Sequence, residues 1–162
     1  MNNEIPAIAK LKTEWLVSHV DVAFPAKETI LGKQLYLDSL TNKNVHPFTP
    51  HSPSSSLDIF LVDFHKMTVM FALNQSSMFK SDEDKANVLE FLTQIILSDE
   101  HHLYLAMSEG EVVGSAILTQ AADDLLVSDL VCHQGELPDL ASSVIGLWKQ
   151  GHTSPPNYWL EL

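Results

Sequence analysis

Arginine is absent from this chain. All nine basic residues are lysine, against 21 acidic residues, and the formal net charge is −12 at pH 7. Arginine's planar fork is the best bidentate ligand for phosphate and carboxylate, so that mode of recognition is closed here. The acidic excess sets up a field that repels nucleic acid and anionic membrane surfaces. Cys132 is the single cysteine and has no partner for an internal disulfide. That suits a reducing compartment, and the expected location is cytoplasmic. No apolar run approaches the roughly 20 residues of a bilayer-spanning helix. The opening, MNNEIPAIAKLKTEW, lacks the basic start and unbroken apolar core of a secretory signal. Hydrophobic residues still make up 45% of the 162 positions, enough for one domain with a packed core.

Between Ile5 and Asp21, the residues Ile8, Leu11, Trp15, Leu16 and Val20 recur at helical spacing. Phe24-Pro25 interrupts the pattern, and Pro25 suits the start of a second helix over about Ala26–Leu40. The expected apolar side of that helix carries Ile30, Leu31, Leu35 and Leu37. Residues 44–56, NVHPFTPHSPSSS, contain three prolines and four serines and read as a loop or linker. The expected organisation is an N-terminal helical segment over 1–43, a Pro/Ser-rich linker over 44–56 and an α/β domain over 57–162.

Leu57–Phe64 is rich in β-formers, and His65–Leu73 begins a helix that Asn74-Gln75-Ser76-Ser77 ends. Ser81 fits the N-cap of a further helix with Asp84 in its first turn, running through Val88, Phe91, Leu92 and Ile95 to about Ser98. Three strands follow, over about His102–Ser108, Val112–Gln120 and Leu125–His133. The first two are joined by a tight turn at Glu109-Gly110. Pro138 suits the first turn of a helix to about Gln150. A loop over Gly151–Pro156 then leads to a last strand over Asn157–Leu162.

This order, together with the stretch EGEVVGSAIL from Glu109 to Leu118 and the strand Leu125–Val131, resembles the GCN5-related N-acetyltransferase, or acyl-CoA N-acyltransferase, superfamily. The resemblance implies an α+β fold with a mixed sheet, an antiparallel central meander and helices on both faces, here with extra N-terminal helices. It also implies an acetyl-CoA site after the meander's last strand. There a Gln/Arg-x-x-Gly-x-Gly/Ala loop offers backbone N–H groups and a helix N-terminus to the pyrophosphate. On this chain the cofactor positions would be Val131, His133, Gln134 and Gly135. Asp129 is the in-strand carboxylate that would serve as base if catalysis is retained.

The chain departs from that loop pattern. With Gln134 in the first place, Leu137 and Asp139 occupy the two small-residue positions, and Pro138 removes an N–H donor. Glu136 and Asp139 add negative charge. At about 4 Å and an effective dielectric near 20, each like-charge contact with a phosphate would cost on the order of 4 kcal/mol. The expected cofactor site is therefore degenerate, with no cofactor held, and acetyl-CoA as the cofactor if the domain is active. The family pattern continues past the point matched by Trp159. The C-terminal half is thus expected to be absent, and the last strand to be an open edge that a second copy, domain or chain completes.

Three functions fit this reading. The first is an acetyltransferase-like binding or regulatory module that self-associates. The second is an active N-acyltransferase whose acidic surface attracts a cationic amine. The third is an unrelated sensor or adaptor domain whose hairpin mimics the pattern. No metal site is expected. His101 and His102, near Glu100 and His133, are strand neighbours whose side chains face apart and cannot share an ion. His46 and His51 lack cysteine or carboxylate partners nearby in sequence. Cys132 and His133 also face apart, which argues against a thiol–base pair. Glu109, Glu111, Asp123 and Asp124 read as polar turn residues.

Overall fold

A computed structural model describes residues 7–20, 22, 25–52, 57–153 and 157–162. The expected break at Phe24, residues 53–56 of the linker and residues 154–156 of the last loop lie outside the described residues. The elements are α1 (Ala7–Ser18), α2 (Lys27–Ser39), β1 (Val45–Pro47), β2 (Asp58–Leu61), α3 (His65–Ser76) and α4 (Asp82–Leu92). They continue with β3 (His101–Ser108), β4 (Glu111–Ala121), β5 (Asp124–Cys132), α5 (Leu137–Lys149) and β6 (Asn157–Glu161).

The architecture is α+β, with one six-stranded mixed sheet in the order β1-β6-β5-β4-β3-β2. Every neighbouring pair is antiparallel except β5 and β6, which are parallel. The meander forms as its turn chemistry dictates. Glu109 and Gly110 take φ of 52° and 81°, the paired left-handed values of a two-residue hairpin whose twist matches that of its strands.

Both faces of the meander are covered, which is why its strands read as near-continuous apolar runs. Leu103, Leu105 and Ile117 pack with Leu16, Phe71 and Phe91 under the α1–α4 side. Tyr104, Ala116, Leu118 and Val127 pack with Leu140 and Trp148 under α5. The predicted N-cap is present: Ser81 Oγ accepts the Asp84 N–H at 3.0 Å.

Several details differ from the sequence expectation. The helix begun at Ser81 stops at Leu92 rather than near Ser98. The chain turns through Thr93-Gln94 so that Ile95 enters the core and Ile96 is left 74% exposed. Helix α1 buries Ile8, Ala9, Lys12 and Leu16, with Leu11 outside. Helix α2 buries Thr29, Gly32 and Tyr36, and Ile30 and Leu31 stay exposed. In both helices a polar side chain reaches an interior partner, and this outweighs the apolar stripe.

Residues 45–47, read as linker, form β1. Val45, His46 and Pro47 pair with Glu161, Leu160 and Trp159. The last strand is therefore not an open edge, because chain from the expected linker has already taken that position. Pro47, which cannot donate to a ladder, is tolerable because β1 is itself the outer strand.

Gly32 sits where α2 meets α4. A Cβ there would lie 2.0 Å from the Asn87 carbonyl oxygen and 2.8 Å from Phe91 Cβ. On an open helix face, Gly→Ala gains about 1 kcal/mol of helix propensity. Here backbone collision reverses the sign. Gly32→Ala should destabilise by about 2–3 kcal/mol, measured as a lower urea midpoint; a raised midpoint would show that the two helices can move apart freely.

Candidate functional site

Strands β5 and β6 pair in parallel from Asp124↔Asn157 to Val127↔Leu160; β6 ends one residue later at Glu161, and β5 runs on to Cys132. Trp159 Nε1 donates to Asp124 Oδ1 at 2.9 Å and ties the paired end. Just past the last of these pairs, β5 slips against β4. Ser115 pairs with Val131 while Ile117 pairs with Ser128, so Asp129 and Leu130 together oppose Ala116. This is a β-bulge. Its pivot, Asp129, takes φ of 52°, a left-handed conformation that costs a non-glycine residue about 1–2 kcal/mol. Regular alternation would send Ser128 and Asp129 to opposite faces. The bulge puts both on the α1–α2 side, where Ser128 Oγ donates to Asp129 Oδ2 at 2.7 Å.

Lys12 of α1 bridges the two strands through their side chains. Its side chain is wholly buried, with Nζ 3.0 Å from Asp129 Oδ2 and 2.8 Å from Glu161 Oε1. Nζ also donates to the Tyr36 hydroxyl at 2.8 Å, and Tyr36 donates in turn to Asp129 Oδ1 at 2.7 Å. All three ammonium donors are thereby used. Burial pushes the Asp129 carboxyl up. The Lys12 and Lys43 charges, with the Ser128 and Tyr36 hydrogen bonds, outweigh that and hold it at about 2. Burial pulls the Lys12 ammonium down, but Asp129 and Glu161 more than compensate and its pKa is raised. Burial and the Asp129 charge push Tyr36 well above the usual phenol value.

A second polar chain leads outward from the bulge. Gln75 Nε2 donates to the Asp129 carbonyl and to Ser115 Oγ, and Ser115 donates to Asn74 Oδ1. Asn74 lines a cavity of about 310 Å³ with Met70, Leu73, Ser77, Val112 and His133, at the small end of ligand sites. Ser77 Oγ lies 2.9 Å from His133 Nε2 and also donates to the Asn74 carbonyl at 2.6 Å. The single hydroxyl proton is committed to that carbonyl, so the imidazole N–H donates to Ser77. Such a serine is not an activated nucleophile, which needs its proton directed at the base.

The β5–α5 junction holds the remaining candidates. Val131 is buried, and the His133 N–H is spent on the Val113 carbonyl at 2.7 Å. Gln134 and Gly135 are exposed, with Gly135 at φ 110°. Helix α5 begins at Glu136 without a side-chain cap, and Pro138 and Asp139 lie in its first turn. His51, from the segment after β1, lies over this turn: its Nε2 is 3.6 Å from Asp139 Oδ1 and its N–H donates to Ser142 Oγ at 3.1 Å.

The five residues named from sequence do not converge. Asp129 points into the Lys12 cluster, His133 toward the cavity, and Gln134 and Gly135 toward solvent. The sequence analysis missed Lys12, Tyr36 and Glu161. One signal was available for Lys12: it stands four residues after Ile8 and four before Leu16, on the face that α1 buries.

No family model matches the chain, and no curated protein matches it. Among solved structures, a GCN5-related N-acetyltransferase from Kribbella flavida is similar, with a TM-score of 0.45 and 10% identity over 79% of this chain. The match takes in 53% of that protein, so the chain spans about half its length.

The lowered Asp129 pKa has a definite sign. Its unfolded value is about 3.9, so its stabilisation is complete above about pH 4 and is lost as pH falls toward the folded value of about 2. Lys12→Met leaves two buried carboxylates without their cation and should cost about 3–5 kcal/mol at pH 7. The penalty should shrink at about pH 4, where the unpaired carboxylates take up protons. Urea unfolding of both proteins at the two pH values checks this; an equal penalty at both would show that Lys12 acts through packing alone.

Proposed function

We propose that this is an acyl-CoA N-acyltransferase-like domain that does not hold the cofactor and works as a binding or regulatory module. The observation that carries the reading is the buried Lys12 ammonium bound to the Asp129 and Glu161 carboxylates where the β5–β6 ladder ends. In open sheets, ligands enter the crevice beyond the carboxyl ends of parallel strands. Here that space holds a three-way hydrogen-bonded ion. Displacing it would strand two buried carboxylates, an uncompensated charge on the scale of several kcal/mol.

The neighbouring junction supports the same conclusion. A pyrophosphate there would meet the Asp139 carboxylate, one donor fewer at Pro138, and the His51 segment laid over the helix start. These residues do not fit the group. Asp129 is also a poor general base: it accepts from Lys12, Tyr36 and Ser128, and its pKa of about 2 lies far below working pH. Binding capacity resides instead in the cavity at Asn74, Ser77 and His133, where polar groups face apolar Met70, Leu73 and Val112. Self-association through the last strand is not part of this proposal, because β1 covers that strand.

Calorimetric titration of acetyl-CoA into the full chain should give no binding heat. Saturable one-to-one binding at low-micromolar affinity would overturn the reading and restore an active N-acyltransferase acting on a cationic amine.

A further inference from the structure

The α5 side of the sheet brings together two histidines that lie far apart in sequence. His102 on β3 and His152, just beyond α5, have ring centres 6.1 Å apart at an interplanar angle of 59°. His152 has one nitrogen fixed by the backbone. Its Nδ1 lies 2.8 Å from the Trp148 carbonyl, which can only accept, so this nitrogen carries the proton and Nε2 keeps its lone pair. His102 Nδ1 is buried without a hydrogen-bond partner among the described residues. Buried polar atoms left unsatisfied are few in native proteins.

We propose that His102 Nδ1 and His152 Nε2 bind one transition-metal ion of the imidazole-preferring class, Cu²⁺, Ni²⁺ or Zn²⁺, with water completing the coordination. Metal-bound histidines characteristically donate their second ring nitrogen to a backbone carbonyl or carboxylate, which fixes the tautomer; His152 has that support from the Trp148 carbonyl. With metal–nitrogen bonds of about 2.0–2.1 Å, two imidazoles sharing an ion place their ring centres roughly 5–6 Å apart, close to the separation found. His152 is exposed and can swing outward to admit the ion. The acidic net charge of −12 favours cations in general. The site lies across the sheet from the Lys12 cluster and is independent of the function proposed above.

Trp148 provides a local reporter, since its ring stacks on His152 at 4.6 Å and 5°. Titrating CuCl₂ into the full chain in a non-chelating buffer should quench tryptophan fluorescence saturably. His102→Ala and His152→Ala should each raise the half-saturating concentration at least ~10-fold, the lower end of what losing even outer-shell support costs. His101→Ala should leave it unchanged, because His101 stacks on Trp15 across the sheet. Quenching that survives both variants, or that disappears with His101→Ala, would overturn the proposal. As a check that needs no variant, Zn²⁺ should shift the ring ¹⁵N resonances of His102 and His152 alone among the eight histidines. No shift, or a shift at other histidines, would mean that the bare nitrogen accepts only a water.

Discussion

The Lys12 ammonium lies fully inside the protein and bonds α1 to α2, β5 and β6 at once, through Tyr36, Asp129 and Glu161. An isolated ammonium in that interior would be untenable, and so would either carboxylate alone. Each charge is stable only because the others are present, so the four elements are specified together. The N-terminal helices are thereby packed into the domain's interior rather than tethered to it. Tyr36 also packs against Phe91 with ring centres 5.7 Å apart, which connects the polar cluster to the apolar core beneath α4. A buried ion pair of this kind is weak evidence for stability, since an apolar replacement of equal shape can do as well. What it supplies here is position, because α1 must sit where its fourth lysine carbon reaches two strands.

The bulge at Asp129 makes that arrangement possible. Strained left-handed backbone at a non-glycine residue persists only where its surroundings over-determine it. Asp129 satisfies that condition, with its carboxylate bonded by Lys12, Tyr36 and Ser128 and its carbonyl by Gln75. The Gln75–Ser115–Asn74 chain continues from the strained residue to the wall of the cavity. The cavity is thus connected through hydrogen bonds to the buried charged cluster.

The meander was legible in sequence because its information is local. Alternation, a Glu-Gly turn and β-branched runs act over a few residues, and β3, β4 and β5 appear within one or two residues of their expected limits. The Ser81 cap was legible for the same reason. The strand β1 was not: a three-residue strand inside a Pro/Ser-rich stretch has no periodicity to read, and it exists because β6 offers it a ladder. The expected faces of α1 and α2 hold at Ile8, Leu16 and Val20, with Trp15, Leu35 and Leu37 packed against the core, but fail at Leu11, Ile30 and Leu31 and omit Lys12 and Tyr36, because hydrophobicity was the only signal used. Lys12 and Tyr36 are interior through partners more than a hundred and about ninety residues distant in sequence. His101 and His102 were correctly expected to face apart, yet the neighbour that gives His102 its interest, His152, comes from the far end of α5.

Composition and short-range pattern alone determined that this is a strongly acidic, arginine-free α+β chain with an antiparallel meander. Those properties depend on residue identity and on neighbours within a turn or a hairpin. Tertiary structure alone decided which way Asp129 points, which cation joins β5 to β6 through their carboxylates, and which strand covers β6. Each of these depends on a one-residue slip in register or on contacts between opposite ends of the chain, and neither has a local signature that sequence periodicity can carry.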